Sequence, residues 1–405
     1  MGARRRLGPE TFDLPVPELR SGYRSAVYFS RTKRILEAEK PATVVTVQVF
    51  QKGRSVLCGI DEALAILRVG TGSWSDPTKA SELFDDYLEA RLEARRLRLQ
   101  DTDASGRARA RQFELEAELD RLWQPGFDRL DVTALYDGDH VEPWETVLAI
   151  AGPQHLFAHL ESVYLGVLAR RTKVANNVAA VVEAARGKPL LFFADRFDHF
   201  GTQGGDGYAA HIAGARGVAT DAMAAWTGEK GLGTIPHALI AAYGADTAAA
   251  TGAFARHVPE ADLIALVDFN NDCVNDSLAC ARQFGERLWG VRLDTAGTMV
   301  DRSITPERMG DFDPTGVNVP LARLVREALD AEGYGHVRII VSGGFTAERI
   351  AAFEEQQAPV DVYAVGSALL RGSCDFTADV VAVDGRLMAK EGRRFRPNKR
   401  LEPVL

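Results

Sequence analysis

The chain has 405 residues, 46% of them hydrophobic and 26% charged, with a formal net charge of −8. This is globular composition, enough for two domains or for one large domain with a smaller companion. An acidic surface repels nucleic-acid backbones, no basic stripe with interleaved aromatics overrules that, and no run of about 18 apolar residues is present to span a membrane.

The start, MGARRRLGPE, is basic but lacks the apolar stretch of a secretory signal, and it reads as a frayed terminus of a cytoplasmic protein. Residues 21–37 carry apolar side chains at helical spacing, whereas PATVVTVQVF at 41–50 is β-branched and favours a strand. Gly59 precedes a short amphipathic helix, IDEALAILRV. From 81 to 123 the chain is rich in Leu, Ala, Glu and Arg, broken only by DTDASG at 101–106. That predicts a helical hairpin whose arginines, Arg91 and Arg95 among them, either attract an anion or, alternating with Glu, form a solvated face; the second reading is preferred. LDVTALYDGD and PWETVLAIAG are two expected strands with a turn at Asp137 and Gly138, and a helix is expected from His155 to Ala185.

Beyond that helix the pattern changes. The runs LLFFAD (190–195), LIALVDF (263–269), WGVRLDT (289–295), RIIVSGG (338–344) and VYAVGSAL (362–369) alternate with helix-length segments. Continuous apolar runs suit parallel strands buried on both faces, joined by helical crossovers. The class expected is α/β: a mixed α/β domain over 1–150, a β/α barrel over 151–385 and a tail over 386–405. A doubly wound open sheet is the alternative.

Polar residues follow each run, on the face where a β/α barrel carries its chemistry. Ser342, Gly343 and Gly344 end one run, and Gly366 and Ser367 end the next. Glycines there let backbone N–H groups approach a phosphate, although they also make tight turns. In GLGTIPHAL, Gly233 and Thr234 make a polar turn and His237 opens a helix whose first turn Pro236 would shape; the helix-start field favours a neutral imidazole, and a structural role competes. Asp268 and Asp294 could hold Mg²⁺ or a sugar hydroxyl, or merely cap helices. Arg196 suits a planar anion, and Arg170, Arg171 and Lys173 form a second cationic cluster. His155 and His159 stand four apart without a third ligand, and the four cysteines have no CxxC pair, so neither metal nor disulfide is assigned to them.

SAVYFSRT, GTIPHAL, VRLDT, VSGG and VGSAL, in this order and spacing, resemble the nicotinate phosphoribosyltransferases, which are related to the quinolinate enzymes. The resemblance implies an irregular β/α barrel behind an N-terminal mixed α/β domain. It implies transfer of phosphoribose from phosphoribosyl pyrophosphate to nicotinate in NAD salvage, coupled to ATP hydrolysis. By motif position Tyr28 would reach the pyridine ring from a neighbouring subunit of a homodimer or larger homo-oligomer. Arg196 would hold a carboxylate or phosphate, and Thr172 and Lys173 the pyrophosphate side. Ser342, Gly343, Gly344, Gly366 and Ser367 would cradle the 5′-phosphate. Thr234 would line the site, with Asp268 and Asp294 along the ribose and His237 accepting a phosphoryl group. Mg²⁺ would enter on the substrate's pyrophosphate, without dedicated protein ligands. The C-terminal cysteine-rich ribbon of some members is missing, so no zinc is expected. Asp195 stands where the family has the first of two arginines, which leaves a related base open. Decarboxylating transfer to quinolinate and a non-catalytic pyridine-nucleotide sensor are the alternatives.

Overall fold

A computed structural model describes residues 5–308 and 310–404. The chain forms two compact units: Met1–Thr172 together with Ser373–Leu405, and Lys173–Gly372 between them. The sequence places these divisions near 150 and 385 instead, because nothing in composition marks the return of residues 373–385 to the first unit.

The first unit is built on a six-stranded antiparallel sheet. Its order is Arg386–Leu387, Phe376–Val383, Val44–Gln51, Thr146–Pro153, Asp131–Ala134 and Glu402–Pro403. Val47 and Val49 on the central strand pack with Leu148, Ile150 and the helix Ile60–Gly70, which buries Ile60, Leu64 and Leu67. Gly59 starts that helix at φ +98°, a conformation glycine adopts without a Cβ clash. The helices Pro77–Leu97 and Thr102–Leu122 form the expected hairpin around their own small core of Leu83, Phe84, Tyr87, Leu115 and Leu119.

Four local expectations are corrected in this unit. The helix expected at 21–37 begins only at Val27 and runs to Glu39, and the turn before it follows a separate short helix, Val16–Arg20. DTDASG is not the break in the hairpin: Asp101 caps the second helix by accepting from the Ala104 N–H at 2.9 Å. Arg91 is not on a solvated face, because it pairs with the buried Glu18. Residues 1–4 of the basic start lie outside the described residues, but Arg6 is docked, with Nη1 3.1 Å from Asp61 and its guanidinium 3.9 Å from the Tyr136 ring centre.

The second unit holds a six-stranded parallel sheet. In chain order its strands are β1 (Leu190–Phe192), β2 (Gly217–Val218), β3 (Ile264–Leu266), β4 (Gly290–Leu293), β5 (Arg338–Val341) and β6 (Val362–Val365). They lie side by side as β3-β4-β5-β6-β1-β2, a curled, incomplete barrel. Five strands stand where the apolar runs predict them. β2 does not announce itself, since two residues are too few to show a period. Helices such as Cys273–Phe284 and Val319–Ala331 make the crossovers.

Candidate active site

The candidate residues stand at the ends of the parallel strands because the strands are mostly apolar and buried, so polar side chains are tolerated chiefly where each strand stops. β5 runs into Ser342, Gly343 and Gly344, and both glycines are left-handed, at φ +84° and +71°. Ser342 ties this tip to β4: its N–H donates to Leu293 O at 2.9 Å and its hydroxyl to Asp294 Oδ1 at 2.7 Å. A Cβ on Gly343 would lie 3.2 Å from that same carboxylate oxygen. Arg349 Nη1 donates to the carbonyls of Gly343 and Gly344, at 3.0 and 3.3 Å. The amides of the two glycines donate to no acceptor among the described residues. The loop therefore presents N–H groups while its carbonyls are occupied, which is the polarity an anion needs.

The adjacent tip of β6 is Gly366 and Ser367, the start of a short 3₁₀ turn, Ser367–Leu370. A Cβ on Gly366 would come within 2.7 Å of Phe193 O and 2.5 Å of the Phe197 ring. Glycine is required here by close packing of the β1 tip against the β6 tip.

The second group lies at β3 and β4. His237 begins the helix His237–Ala242, with Pro236 as the preceding cap residue and not inside the first turn. Its Nε2 sits 2.9 and 3.0 Å from the two carboxylate oxygens of Asp268, at the end of β3. A carboxylate, more than the field of a six-residue helix, therefore determines what faces the imidazole. Burial raises the Asp268 carboxyl above its ordinary range and the Asp294 charge adds to this, while His237 opposes it.

Arg292 is the residue that the motif reading passed over. It lies on β4, two residues before Asp294, which follows the strand's end, and in extended chain residues two apart share a face. That spacing was available in VRLDT. Its guanidinium lies 6.0 Å from the Phe193 ring centre, its Nε is buried without a hydrogen-bond partner, and the nearest bond of Nη2 is a long 3.5 Å to Ile235 O. Burial pulls its affinity for the proton down, with Asp294 and Asp268 opposing and Arg196 adding to the drop. The Thr234 hydroxyl is likewise buried without a partner. A buried guanidinium whose Nε has no hydrogen-bond partner among the described residues has donor capacity left for an anion.

The other expected residues fall as follows. Arg196 is exposed next to the Phe197 ring, 5.6 Å away. Asp195 lends its carbonyl to Gln203 Nε2 at 3.2 Å. Thr172 is fully buried, and its hydroxyl both accepts from Cys58 N (3.1 Å) and donates to Cys58 O (3.0 Å). It is committed to holding the chain in place, which corrects its reading as a pyrophosphate contact. Lys173 is half-buried. Tyr28 is 63% exposed on its helix in the first unit. Asp294 does not cap the following helix, since its Oδ1 takes the Ser342 hydroxyl.

No family model matches the chain. It is 29% identical over 282 residues to the nicotinate phosphoribosyltransferase pncB2 of Mycobacterium tuberculosis, across 67% of this chain and 56% of that one. To pncB1 of the same organism it is 30% identical over 259 residues, across 62% and 53%. Among solved structures, nicotinate-nucleotide pyrophosphorylase from Pyrococcus furiosus matches with a TM-score of 0.70 and 27% identity, over 96% of this chain and 82% of that one. The chain is thus similar in sequence to nicotinate phosphoribosyltransferases over part of their length. It spans about half the length of the curated relatives it matches. The human nicotinic acid phosphoribosyltransferase, at a TM-score of 0.60 and 16% identity over 90% and 75%, has the same fold. The segments GTIPHAL, VRLDT, VSGG and VGSAL end or follow parallel strands of the second unit.

Proposed function

We propose that the chain joins nicotinate to phosphoribosyl pyrophosphate, giving the mononucleotide and pyrophosphate in NAD salvage. The observation that carries this reading is the gathering of the motif residues at one end of the parallel sheet: the free amides of Gly343 and Gly344 beside the Asp294–Ser342 contact, and the His237–Asp268 pair.

The glycine amides suit the 5′-phosphate. Asp294 and Asp268 suit the ribose, whose anomeric carbon becomes positive as the bond to pyrophosphate breaks. Arg196 and Arg292 supply cations for the pyridine carboxylate or the pyrophosphate. Mg²⁺ would enter on the substrate's own pyrophosphate oxygens, without dedicated protein ligands. Mg²⁺ bound there would neutralise charge on the departing pyrophosphate. With Asp268 on Nε2, the imidazole nitrogen left for phosphoryl transfer from ATP is Nδ1; the phosphoryl group would leave ADP, occupy Nδ1 and later pass to water. An exposed Tyr28 fits delivery to the site of a second copy in a homo-oligomer, and a cytoplasmic setting suits these substrates.

The test is pyrophosphate release from phosphoribosyl pyrophosphate with nicotinate, nicotinamide or quinolinate, each with and without ATP. Release with nicotinate, increased by ATP, is expected. Carbon dioxide release with quinolinate would move the reading to the decarboxylating relatives, and binding of mononucleotide without any turnover would make the chain a sensor.

A further inference from the structure

A cavity of about 370 Å³ opens in the second unit at the opposite end of the strands from the residues discussed above. Leu263, Trp289 and Arg338, which line it, stand at or just before the first residues of β3, β4 and β5. Four-residue strands rise about 3.3 Å per residue, so this space lies about 13 Å from the strand tips. It is separate from the candidate active site, and the inference does not depend on the reading of that site.

The lining combines partly exposed apolar residues, Val258, Pro259 and Trp289, with donors from Arg287, His336 and Arg338. The Arg338 guanidinium lies over the Trp289 ring, 4.8 Å from its centre. Arg338 has no ion-pair partner among the described residues, and the one bond of Arg287 is a long 3.5 Å to Ala255 O. Two carboxylates also line the space, Asp262 and Glu286. Glu286 is turned toward solvent at 92% side-chain exposure and faces His336 Nδ1 at 3.8 Å, Asp262 is exposed, and neither forms an ion pair with Arg287 or Arg338 among the described residues. The volume falls in the range of small-molecule sites, roughly 300–1,000 Å³.

We propose that this cavity binds an aromatic anion of nucleotide size, its ring against the Trp289 side and its anionic group between Arg287 and Arg338. Neither half suffices: an unpaired arginine at a surface is well hydrated, and the affinity comes from placing an apolar ring and a charge together.

Calorimetric titration of the full chain with AMP tests this, with phosphoribosyl pyrophosphate and Mg²⁺ saturating to fill the strand tips. AMP is expected to bind under that condition, with adenosine and inorganic phosphate each at least about tenfold weaker, since each keeps only half of the contacts. Arg338→Ala and Arg287→Ala should each weaken AMP about tenfold or more, with unchanged melting temperature and unchanged response to phosphoribosyl pyrophosphate. Trp289→Phe, which keeps a ring, should retain binding. Loss of AMP binding when phosphoribosyl pyrophosphate is added, inorganic phosphate binding as tightly as AMP, or indifference to both arginine variants would each overturn the proposal.

Discussion

Gly343 shows how much one hydrogen atom in place of a methyl decides. At φ +84° and 3.2 Å from Asp294 Oδ1, a Cβ meets both backbone strain and a carboxylate. Gly343→Ala is expected to cost about 1 kcal/mol of stability and to weaken phosphoribosyl pyrophosphate more than tenfold, read by thermal melting and by KM. A variant that loses stability but keeps KM would assign the glycine to the turn alone. His237→Ala, which removes the partner of Asp268, is expected to abolish ATP hydrolysis while transferase activity persists; continued ATP consumption would end the phosphohistidine reading. Away from the site, Glu161 is pushed up to about 7 by burial and by the nearby charge of Asp379. A carboxyl whose folded affinity for the proton is raised binds more protons than the unfolded chain between its ordinary range and about 7, so stability falls as pH rises through that window. After allowance for its partial solvation the effect is about 1 kcal/mol. Glu161→Gln should flatten urea midpoints between about pH 5 and about pH 8, and an unchanged slope would assign the pH dependence elsewhere.

Among the elements, the hairpin Pro77–Leu97 and Thr102–Leu122 is the most autonomous, because its core is made from its own two helices. Leu115 is fully buried there. Leu115→Ala is expected to cost about 2–4 kcal/mol, with faster amide exchange in both helices and little effect on KM. Loss of nicotinate turnover with an intact hairpin would instead implicate these helices in catalysis. The hairpin was legible because two long amphipathic segments show their period plainly, whereas its break was misplaced: Asp, Thr and Ser read as loop residues are equally the residues that start a helix. β2 escaped for the opposite reason, being too short to have a pattern.

For the molecule as a whole, the decisive fact is the return of the chain after Gly372 to the first unit. Phe376–Val383 pairs along Val44–Gln51, from Val45 opposite Val383 to Gln51 opposite Phe376. Deleting 373–405 would leave the Val44–Gln51 edge unpaired and uncover the apolar surface on which Phe376 and Val381, both buried, now pack. Such a chain is expected to aggregate, while one ending after Leu387 keeps the strand and melts cooperatively; equal solubility of the two would disprove the strand's importance. The sequence by itself determined the parallel-strand class and the positions of five barrel strands. It also determined the motif residues that end them, since apolar runs punctuated by Gly, Ser and Asp have few other solutions. Only tertiary structure decided that Asp268 faces His237, that Arg292 lies unsatisfied beside Asp294, that Thr172 is spent on Cys58, and that the last strand belongs to the first unit. These depend on contacts between residues distant along the chain, and local periodicity carries no record of which distant partner a side chain will meet.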